Sequence, residues 1–582
     1  MKALDLRDRA RATLAREVGS LHKPHGQRLR IALAFPNTYF VGMSNLGFQT
    51  VYRLFNELDD VVCERVFLPP KQELQAQLAS GLKLLTIESQ TPVLDMDVLA
   101  FSVSFEWDYP NVLTMLRLAG LPLYAAERQP GRHPLVLLGG AVTFVNPEPL
   151  APFVDVVAAG EGEALVPAFT GHVHEATGRG DLLFRLAGER GFYVPSAWEP
   201  EYAPDGTLLG MRGDPAAGVT GPVRKAAVRT TDYLDPPHTV VFTPDTEFGS
   251  RFLVEVVRGC ANLCRFCWAG YNYLPVRAFP AERILALAEA ARPHANRAGL
   301  VSIALCDHPD IERILDGLGA LGYSISPASL RLDDLTPGIV DRLVRSGERG
   351  VTIAPETGSD RLRRVINKTM TNDEILDRAE VIFASGMENL KLYYMIGLPT
   401  ETDDDLVAMR DLTVQLRDVM VRHAKRRGRI GRIVGSVNPL IPKPGTAYQW
   451  LPMEDPGLTD RKSKRLRKLM AGLDNVYMSI KSERHSFYQA LMSLGDRRVA
   501  PVIEHVERNG GDWKAAVQTA GVDPAFYIFR DRSHDAYLPW NVIDGGMKEQ
   551  FFRAEFDKSL RAEWTLPAKR QKENPRLLPM LS

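Results

Sequence analysis

The chain of 582 residues has few cysteines, no surplus of either charge and no long apolar run. Five cysteines are too few for the disulfide framework of a secreted protein of this size. The 71 basic and 71 acidic side chains cancel, so bulk charge gives no strong signal for nucleic acid as a partner. The longest apolar stretches, such as "PLVLLGGAVTFV", are too short to cross a bilayer. We therefore expect a cytoplasmic protein with reduced thiols and no membrane partner.

The N-terminal part alternates between buried strands and amphipathic helices. After an opening helix within residues 1–25, strand-like stretches such as "LRIALAF", "DVLAFSVSF" and "HPLVLLGG" recur over residues 26–195. This alternation predicts an α/β domain with a doubly wound, Rossmann-like parallel sheet. Ligands of such sheets bind at the carboxyl ends of the strands. Those ends fall in the loops at Asn37–Tyr39, Ser104–Trp107, Gly139–Gly140 and Gly160–Glu163.

The remainder of the chain divides into three predicted regions. Residues 196–247 are rich in Pro, Gly and Asp, which indicates a linker that carries a β-hairpin. Residues 248–450 contain six strand–helix units, which favour a partial (β/α)6 barrel with its active face at the carboxyl ends of the strands. Residues 451–582 are charged and predict a mainly helical C-terminal region with a polar tail.

Three of the five cysteines stand in one short stretch, "RGCANLCRFCWAG". Cys260, Cys264 and Cys267 follow an apolar strand and are one ligand short of a structural zinc site or a ferredoxin-type cluster. On a four-iron cluster, three thiolates would leave one iron open for a substrate or cofactor. A zinc site completed by His308 is the alternative. Three adjacent thiols without a metal would be prone to oxidation.

The spacing Cys-x3-Cys-x2-Cys, with Phe266 before the last cysteine, resembles the signature of the radical S-adenosylmethionine (radical SAM) superfamily. Other stretches resemble, in order, an uncharacterised branch of it with an N-terminal cobalamin-binding-type domain: "SLRLDDL", "GVTIAPETGSDRLRRVINK", "LKLYYMIGLPTET", "NPLIPKPGTAYQW" and "LPWNVIDGG". The resemblance spans roughly residues 26–560. It implies a [4Fe-4S] cluster held by the three cysteines, and S-adenosyl-L-methionine bound to the open iron and cleaved reductively.

The resemblance also implies roles for residues at the ends of the barrel strands. Phe266 would pack near the adenine of S-adenosylmethionine, and Ser329 and Arg331 would meet its carboxylate or ribose. Glu356 would contact the ribose hydroxyls or the amino group. The turn from Gly397 to Pro399 would let the backbone approach the cofactor. From the residues alone, Arg331 and Glu356 could instead form an ion pair that closes the barrel.

Cobalamin is implied by the N-terminal domain of the branch. Many cobalamin domains ligate cobalt through a histidine in the loop after the first strand. Here that loop reads "FPNTYFVGMSNLG" and has no histidine, so only a mode without this ligand is open. In that mode Ser104 (or Ser102), Gly139, Gly140, Gly160 and the "GEGE" turn would contact the cofactor. The alternative is an inherited domain that shields the barrel or binds another ligand.

The implied function is that of a radical SAM enzyme, a methyltransferase or other transferase, or a lyase or isomerase. It would use cobalamin to methylate or rearrange an unactivated carbon. The enzyme would receive its electrons from a donor such as flavodoxin or ferredoxin. One alternative is a cobalamin-independent enzyme that abstracts hydrogen or acts like a methylthiotransferase. Another is a non-catalytic iron–sulfur protein that senses redox state or binds RNA.

Two further groups of residues have open roles. A methylthiotransferase usually needs three more cysteines for a second cluster, and Cys63 and Cys306 cannot supply them; both are predicted to be core residues, with a catalytic thiol as the lesser alternative for Cys306. Four aromatic residues either wall a substrate pocket between the two domains or belong to the core: Trp107, Trp268, Tyr271 and Tyr273.

Overall fold

The N-terminal region forms a parallel sheet with helices on both faces. In the computed structural model, which describes residues 3–327, 330–332 and 335–565, its strands stand in the order β2-β1-β3-β4-β5-β6. The strands are β1 (Leu29–Phe35), β2 (Val61–Phe67), β3 (Val98–Ser102), β4 (Leu135–Gly139), β5 (Val156–Ala158) and β6 (Phe192–Tyr193). The helices are α1 (Ala3–Leu14), α2 (Tyr39–Gly42), α3 (Leu46–Glu57), α4 (Lys71–Ser80), α5 (Tyr109–Ala119), α6 (Gly162–Glu175) and α7 (Arg179–Ala187).

This sheet has the predicted doubly wound topology. Its first five strands pair in parallel, and only β6 pairs antiparallel to its neighbour β5. Strands β2, β3 and β5 are buried along their whole length because helices cover both faces. The chain order reverses between β1 and β3, and such a switch point opens a crevice at the carboxyl ends of the strands. The Rossmann-like prediction is confirmed.

The opening helix is shorter than the region predicted for it. It ends at Leu14, a turn follows at residues 15–16, and Val18 then forms a bridge with Phe242. Between them, the Glu17 carboxylate accepts from the Arg65 guanidinium at 2.6 Å, with both side chains fully buried. An amphipathic pattern predicts the helix but not this buried ion pair, whose partners are 48 positions apart in the chain.

The predicted linker holds the expected hairpin, and it also joins other parts of the molecule. The hairpin consists of β7 (Trp198–Tyr202) and β8 (Leu208–Gly213). Further on, Ala226 bridges to Gly160 at the sheet edge, and β9 (Val223–Arg224) pairs in parallel with β18 (Ile543–Asp544) near the C-terminus. The linker therefore connects the N-terminal sheet to the C-terminal region.

All six predicted barrel strands are present, in chain order and parallel. They are β10 (Phe252–Arg258), β12 (Arg297–Ser302), β13 (Ser324–Pro327), β14 (Gly350–Glu356), β15 (Asn389–Ile396) and β16 (Ile433–Pro439). They form two four-stranded sheets, β11-β10-β12-β13 and β14-β15-β16-β17, where β11 is Arg277–Ala278 and β17 is Val476–Ile480. Within the described residues these sheets do not close into a full barrel.

Strand β17 is a seventh parallel strand that the sequence analysis missed. It pairs with β16 and lies in the region predicted to be mainly helical. Its residues alternate between partly buried and exposed, without a fully buried position. Its partly buried residues Val476, Met478 and Ile480 pack against the barrel core, but five residues are too few for their alternation to stand out between helical stretches.

The helices around the barrel alternate with its strands. They are α8 (Trp268–Asn272), α9 (Ala281–Ala291), α10 (Ile311–Ala320), α11 (Pro337–Arg345), α12 (Asp360–Val365), α13 (Asn372–Ala384), α14 (Asp403–Arg427) and α15 (Pro456–Met470). Their apolar faces join the strands in a barrel core that includes Ile284, Ile375 and Leu416. None of the described helices is both long and apolar enough to cross a bilayer.

The C-terminal region is mainly helical, as predicted, and packs against the N-terminal sheet. Its helices are α16 (Glu483–Leu494), α17 (Ala500–Arg508), α18 (Trp513–Ala520), α19 (Pro524–Ile528) and α20 (Glu549–Leu560). Helix α17 packs on α5, where Arg117 donates to Glu507 at 2.7 Å and the Tyr124 hydroxyl donates to Glu504 at 2.7 Å. The two regions share one hydrophobic core.

Candidate active site between the N-terminal sheet and the barrel

The cysteine loop begins where β10 ends. Gly259 has φ +92°, and a Cβ there would lie 2.4 Å from the Tyr273 carbonyl oxygen, so this position needs glycine. The chain then passes through Cys260 and Cys264 to Cys267, which caps the N-terminus of α8. Cys260 and Cys264 are buried and Cys267 is half-buried.

The three thiols lie close enough to influence one another. Burial raises the pKa of Cys264 to about 12 and that of Cys267 to about 11. Cys260 adds to both increases, because its charge would repel theirs, whereas the Lys368 ammonium opposes them. A cationic centre would keep the Cys264 and Cys267 thiols ionised in so buried a place. The donor set therefore fits a metal cluster.

The alternative zinc site loses its fourth ligand. His308 is buried, its Nε2 lies 2.7 Å from the Phe279 carbonyl oxygen, and its Nδ1 accepts from the Asp310 N–H at 2.9 Å. Both ring nitrogens are therefore held by the main chain. Among the described residues, no three His, Cys, Asp or Glu side chains converge on a single metal ion.

A buried ion pair stands next to the thiols. The Lys368 Nζ lies 3.5 Å from the Glu356 carboxylate, and both side chains are largely buried. Burial raises the pKa of Glu356. Burial alone would lower the pKa of Lys368, but Glu356 and the three cysteines outweigh that effect and raise it. Lys368 was not predicted as a site residue, although it ends the stretch "GVTIAPETGSDRLRRVINK".

The backbone of this site is strained at three residues that are not glycine. Leu263 in the cysteine loop has φ +50°, Glu356 has φ +65° and Asn367 has φ +54°. The left-handed region costs such residues roughly 1–2 kcal/mol each and persists only where surrounding contacts enforce it. One such contact is the Asn367 side-chain amide, which donates to the Leu263 carbonyl oxygen at 3.3 Å.

The C-terminal region fastens the cysteine loop from outside. Arg265 is fully buried, pairs with Glu555 of α20 at 3.1 Å and donates to the Glu563 carbonyl oxygen at 2.8 Å. The Asn367 carbonyl oxygen of the side chain accepts from the Thr565 N–H at 3.1 Å. We call these contacts, made by Arg265, Asn367, Glu555, Glu563 and Thr565, the C-terminal clamp. No role was predicted for these C-terminal residues, since the partners lie far apart in the chain.

The structure brings Phe266 and the Gly397–Pro399 turn together. Phe266 packs against a small apolar cluster that contains Met395 and Leu398. Gly397 has φ +77°, and its N–H donates to the Glu401 carboxylate at 2.8 Å. These positions agree with the predicted placement near one cofactor, although the cofactor roles themselves remain predictions.

Arg331 and Glu356 do not pair with each other, so the ion pair considered from the sequence is wrong. Arg331 donates to the Asp307 carboxylate at 2.6 Å and to the Asn262 side chain of the cysteine loop at 3.2 Å. Glu356 pairs with Lys368 instead. Ser329, the remaining predicted contact of S-adenosylmethionine, lies outside the described residues.

A cavity of about 540 Å³ lies at the carboxyl edge of the N-terminal sheet. It is lined by Ser104, Gly139, Gly140 and Gly160, the four residues predicted for cobalamin, and also by Ser102. Its inner wall is apolar and comes from the sheet and helices α3 and α6, with Phe101, Leu137, Leu165, Val166 and Phe169. Its outer end reaches Arg258 and Gly259, directly before the first cysteine.

Two of these glycines also have a reason that is internal to the fold. A Cβ at Gly140 would lie 2.4 Å from the Val103 carbonyl oxygen, and one at Gly160 would lie 2.1 Å from that of Ala226. A Cβ at Gly139 would approach Phe101 only to an ordinary 3.4 Å. Gly139 therefore leaves space in the cavity, whereas Gly140 and Gly160 permit close main-chain contacts.

The carboxylates of the "GEGE" turn point to arginines of the barrel. Glu161 accepts from Arg277 at 2.6 Å, and Glu163 accepts from Arg258 at 2.8 Å. Burial alone would raise the pKa of Glu161, but Arg277 and Arg258 hold it below the usual value. The charges of the turn therefore join the two regions, and its contact with cobalamin stays a prediction.

The four aromatic residues do not form one shared wall. Tyr273 lines the cavity described above, whereas Tyr271 lines a second cavity. Trp268 stacks on Phe144 at 5.1 Å, and Trp107 stacks on His485 of α16 at 4.0 Å. The predicted common pocket is wrong for Trp107, which packs in the core with the C-terminal helices.

The two remaining cysteines pack in hydrophobic cores, as predicted. Cys63 is fully buried in the core of the N-terminal sheet. Cys306 is half-buried and packs against the barrel core.

Two sequence families match the chain. The family described as radical SAM proteins, N-terminal, matches residues 47–195, and the radical SAM superfamily matches residues 254–413. Together they cover more than half of the chain. The chain belongs to the radical SAM superfamily. The matched segments include the cysteine loop and the edge of the N-terminal sheet.

The chain is also similar to one curated protein and to several solved structures. An uncharacterised protein of Methanocaldococcus jannaschii is 24% identical over 480 residues, which cover 82% of this chain and 90% of that protein. The radical S-adenosylmethionine methyltransferase TsrM from Kitasatospora setae, solved with cobalamin and a [4Fe-4S] cluster, is 12% identical with a TM-score of 0.48 over 85% of this chain and 99% of TsrM.

A further solved structure is that of OxsB, a cobalamin-dependent S-adenosylmethionine radical enzyme. It is 13% identical, with a TM-score of 0.45, and the likeness covers 66% of this chain. The chain matches about half the length of OxsB, 52%.

Proposed function

We propose that this chain is a cobalamin-dependent radical SAM enzyme that methylates or rearranges an unactivated carbon. The observation that carries the proposal is the cavity at the edge of the N-terminal sheet. It is bounded on one side by Ser104 and Gly139 and on the other by Gly259, next to the first cysteine. A cofactor held there would lie beside the centre that the cysteine loop holds.

Cys260, Cys264 and Cys267 would hold the [4Fe-4S] cluster. When bound, the cluster and S-adenosylmethionine supply the reductive cleavage that begins radical chemistry. The protein around them offers charge balance, since Lys368 carries a buried positive charge close to all three thiols. Glu356 and Arg331 would bind the polar groups of S-adenosylmethionine, and the apolar cluster around Phe266 would keep water out.

The cavity of the sheet fits a large ligand with an apolar part and a polar rim. Its inner wall of aliphatic and aromatic side chains suits the apolar part, and the Ser102 and Ser104 hydroxyls suit the rim. Among the described residues that line it there is no histidine. We therefore propose that cobalamin binds here without a cobalt ligand from a protein histidine.

The proposal implies partners of stated chemistry. A small one-electron donor of the flavodoxin or ferredoxin type would reduce the cluster. Both such a donor and reduced thiols are typical of the cytoplasm, which we propose as the location.

A cobalamin-independent enzyme that abstracts hydrogen is the second candidate. It is favoured by Gly140 and Gly160, whose presence the fold explains without a ligand.

One experiment distinguishes these candidates. The full-length chain is reconstituted anaerobically, with and without cobalamin, and incubated with cell extract and S-adenosylmethionine labelled in its methyl group. We expect S-adenosylhomocysteine or 5′-deoxyadenosine only when cobalamin is present, with label in a product if the reaction is a methylation. Equal turnover without cobalamin would support the second candidate, and no cleavage of S-adenosylmethionine under either condition would contradict both.

A further inference from the structure

A second cavity, of about 800 Å³, lies behind the cysteine loop. Several separate parts of the chain line it, among them the end of α7, the end of α8, the turn at Gly445–Gln449, the linker strand β9, the stretch "LPWNVIDGG" and α20. Phe144 borders both this cavity and the one at the sheet edge. Cys267 caps the N-terminus of α8, and Asn272 at the other end of this five-residue helix lines the second cavity. The helix therefore links the cysteine loop to the cavity.

The polar centre of this cavity is the side-chain amide of Asn272. Glycines from two distant stretches stand on either side of it. A Cβ at Gly445 would lie 3.2 Å from the Asn272 Nδ2, and a Cβ at Gly545 would lie 3.2 Å from its Oδ1. These distances are tighter than ordinary contact, so a side chain at either position would crowd the amide. The glycines leave it open to the cavity.

A second amide stands beside it in a fixed orientation. The Gln449 Oε1 accepts from the Trp540 indole N–H at 2.8 Å and from the Gly445 N–H at 3.2 Å. Both donors require oxygen at this position, so the Nε2 of Gln449 is the remaining group. Gly445 thus contacts both amides.

Each amide keeps one atom without a partner in the part of the chain that the structure describes. The Asn272 Nδ2 donates to the Trp268 carbonyl oxygen at 3.0 Å, which leaves its Oδ1 as an acceptor. The Gln449 Nε2 remains as a donor. Asn272 and Gln449 are both buried in the fold and line the cavity. The cavity therefore presents an acceptor and a donor from neighbouring amides.

Aromatic side chains form part of the wall, beside charged ones that include Arg190, Arg224 and Glu549, and they favour a ring over a flexible chain. The aromatic residues comprise Phe144, Tyr537, Trp540 and Phe552. Flat ligands stack on such side chains, while side-chain amides read the donors and acceptors along their edges. Both amides adjoin Gly445, and their acceptor and donor suit the N–H and C=O of a lactam.

We propose that the second cavity binds a planar heterocycle with a lactam edge, of the nucleobase class, through Asn272 and Gln449. The ligand N–H donates to the Asn272 Oδ1, and its C=O accepts from the Gln449 Nε2. That this ligand is the substrate rests on the proposed function, whereas the binding itself does not.

Calorimetric titration of the full-length chain, without S-adenosylmethionine or cobalamin, tests the binding. Uridine and inosine carry the lactam edge on a small and a large ring. 3-Methyluridine and 1-methylinosine lack its N–H. We expect at least one of the parent nucleosides to bind and its methylated form to bind about tenfold more weakly, as expected for a lost hydrogen bond. Equal affinity for parent and methylated forms, or no binding of either parent at millimolar concentration, would overturn the proposal.

Two glycine variants locate the site. Gly545→Ala places a methyl group against the Asn272 Oδ1 and should weaken binding about tenfold. Gly210→Ala is the matched control, because a Cβ there would meet nothing within 4 Å in the exposed hairpin. Unchanged binding in Gly545→Ala would overturn the assignment to this cavity. Cleavage of S-adenosylmethionine without nucleoside binding would leave the proposed function intact and reject only this inference.

Discussion

The cysteine loop and the edge of the N-terminal sheet are held in place by different means. At the loop, side chains fix the backbone. The Asn367 amide donates to the Leu263 carbonyl oxygen of the loop. Arg265, within the loop, donates to the Val365 carbonyl oxygen and pairs with Glu555, far along the chain. At the sheet edge, main chain packs directly on main chain, at Gly140 and Gly160. The loop thus depends on specific polar contacts, whereas the cavity depends on small residues and apolar walls.

Removing a cysteine should have the largest effect. Cys264→Ala takes away one of three ligands, and we expect the iron content after anaerobic reconstitution to fall from ~4 per chain to well below half of that. Cleavage of S-adenosylmethionine should be lost with it. Cys306→Ser is the control, since Cys306 packs against the barrel core. A Cys264→Ala protein with full iron and activity would show that the loop is not the cluster site.

Breaking the C-terminal clamp should have the second-largest effect. Arg265→Met removes the guanidinium from the buried Glu555 carboxylate, which keeps its pair with Lys558 at 2.9 Å. The cost should therefore lie below the roughly 3–5 kcal/mol of a buried charge left unpaired. We expect a lower melting temperature of the full chain and faster loss of iron to a chelator. Arg561→Met removes an exposed pair with Glu563 and should alter neither. If both variants retain iron equally, the clamp does not hold the loop.

The two adjacent glycines of the sheet edge separate space from backbone conformation. Gly140→Ala forces an unfavourable φ and a close contact with Val103, so it should destabilise the fold by roughly 1–2 kcal/mol or more. Gly139→Ala has room for its methyl group and should keep the stability, measured by thermal unfolding, while reducing cobalt uptake. Equal loss of stability in both variants would contradict the distinction between them.

The charge of Lys368 should have a smaller effect. Lys368→Met removes a buried positive charge near the three cysteines, which disfavours the more negative, reduced cluster. We expect the midpoint potential, followed by spectroscopic redox titration, to fall by tens of millivolts. Lys368→Arg keeps the charge and should keep the potential. A potential that is unchanged in Lys368→Met would mean that the charge is compensated by Glu356.

The same contrast explains which features could be predicted from the sequence. The three cysteines and the six barrel strands follow from local spacing and apolar periodicity, and each appears where it was predicted. The clamp could not be predicted, because Arg265 and Glu555 are 290 positions apart and nothing local links them. The carboxylates of the "GEGE" turn are similar: Glu161 pairs with Arg277, 116 positions away.

Shape was harder to predict than chemistry. The residues Ser104, Gly139, Gly140 and Gly160 were chosen as loop ends of a doubly wound sheet, and they do share one cavity. Whether a glycine leaves space or permits a close contact depends on atoms of other strands, so only coordinates distinguish the two. Strand β17 escaped prediction for a related reason, since its place beside β16 is set by tertiary pairing.

Metal analysis of the full-length chain tests the central claim most directly. The chain is purified anaerobically from cells supplied with cobalamin, and iron and cobalt are measured in the same sample. The account predicts ~4 irons and ~1 cobalt per chain, with cobalt reduced in Gly139→Ala and iron reduced in Cys264→Ala. Iron without cobalt, or cobalt that is unaffected by Gly139→Ala, would contradict the claim that the loop and the cavity form one reaction site.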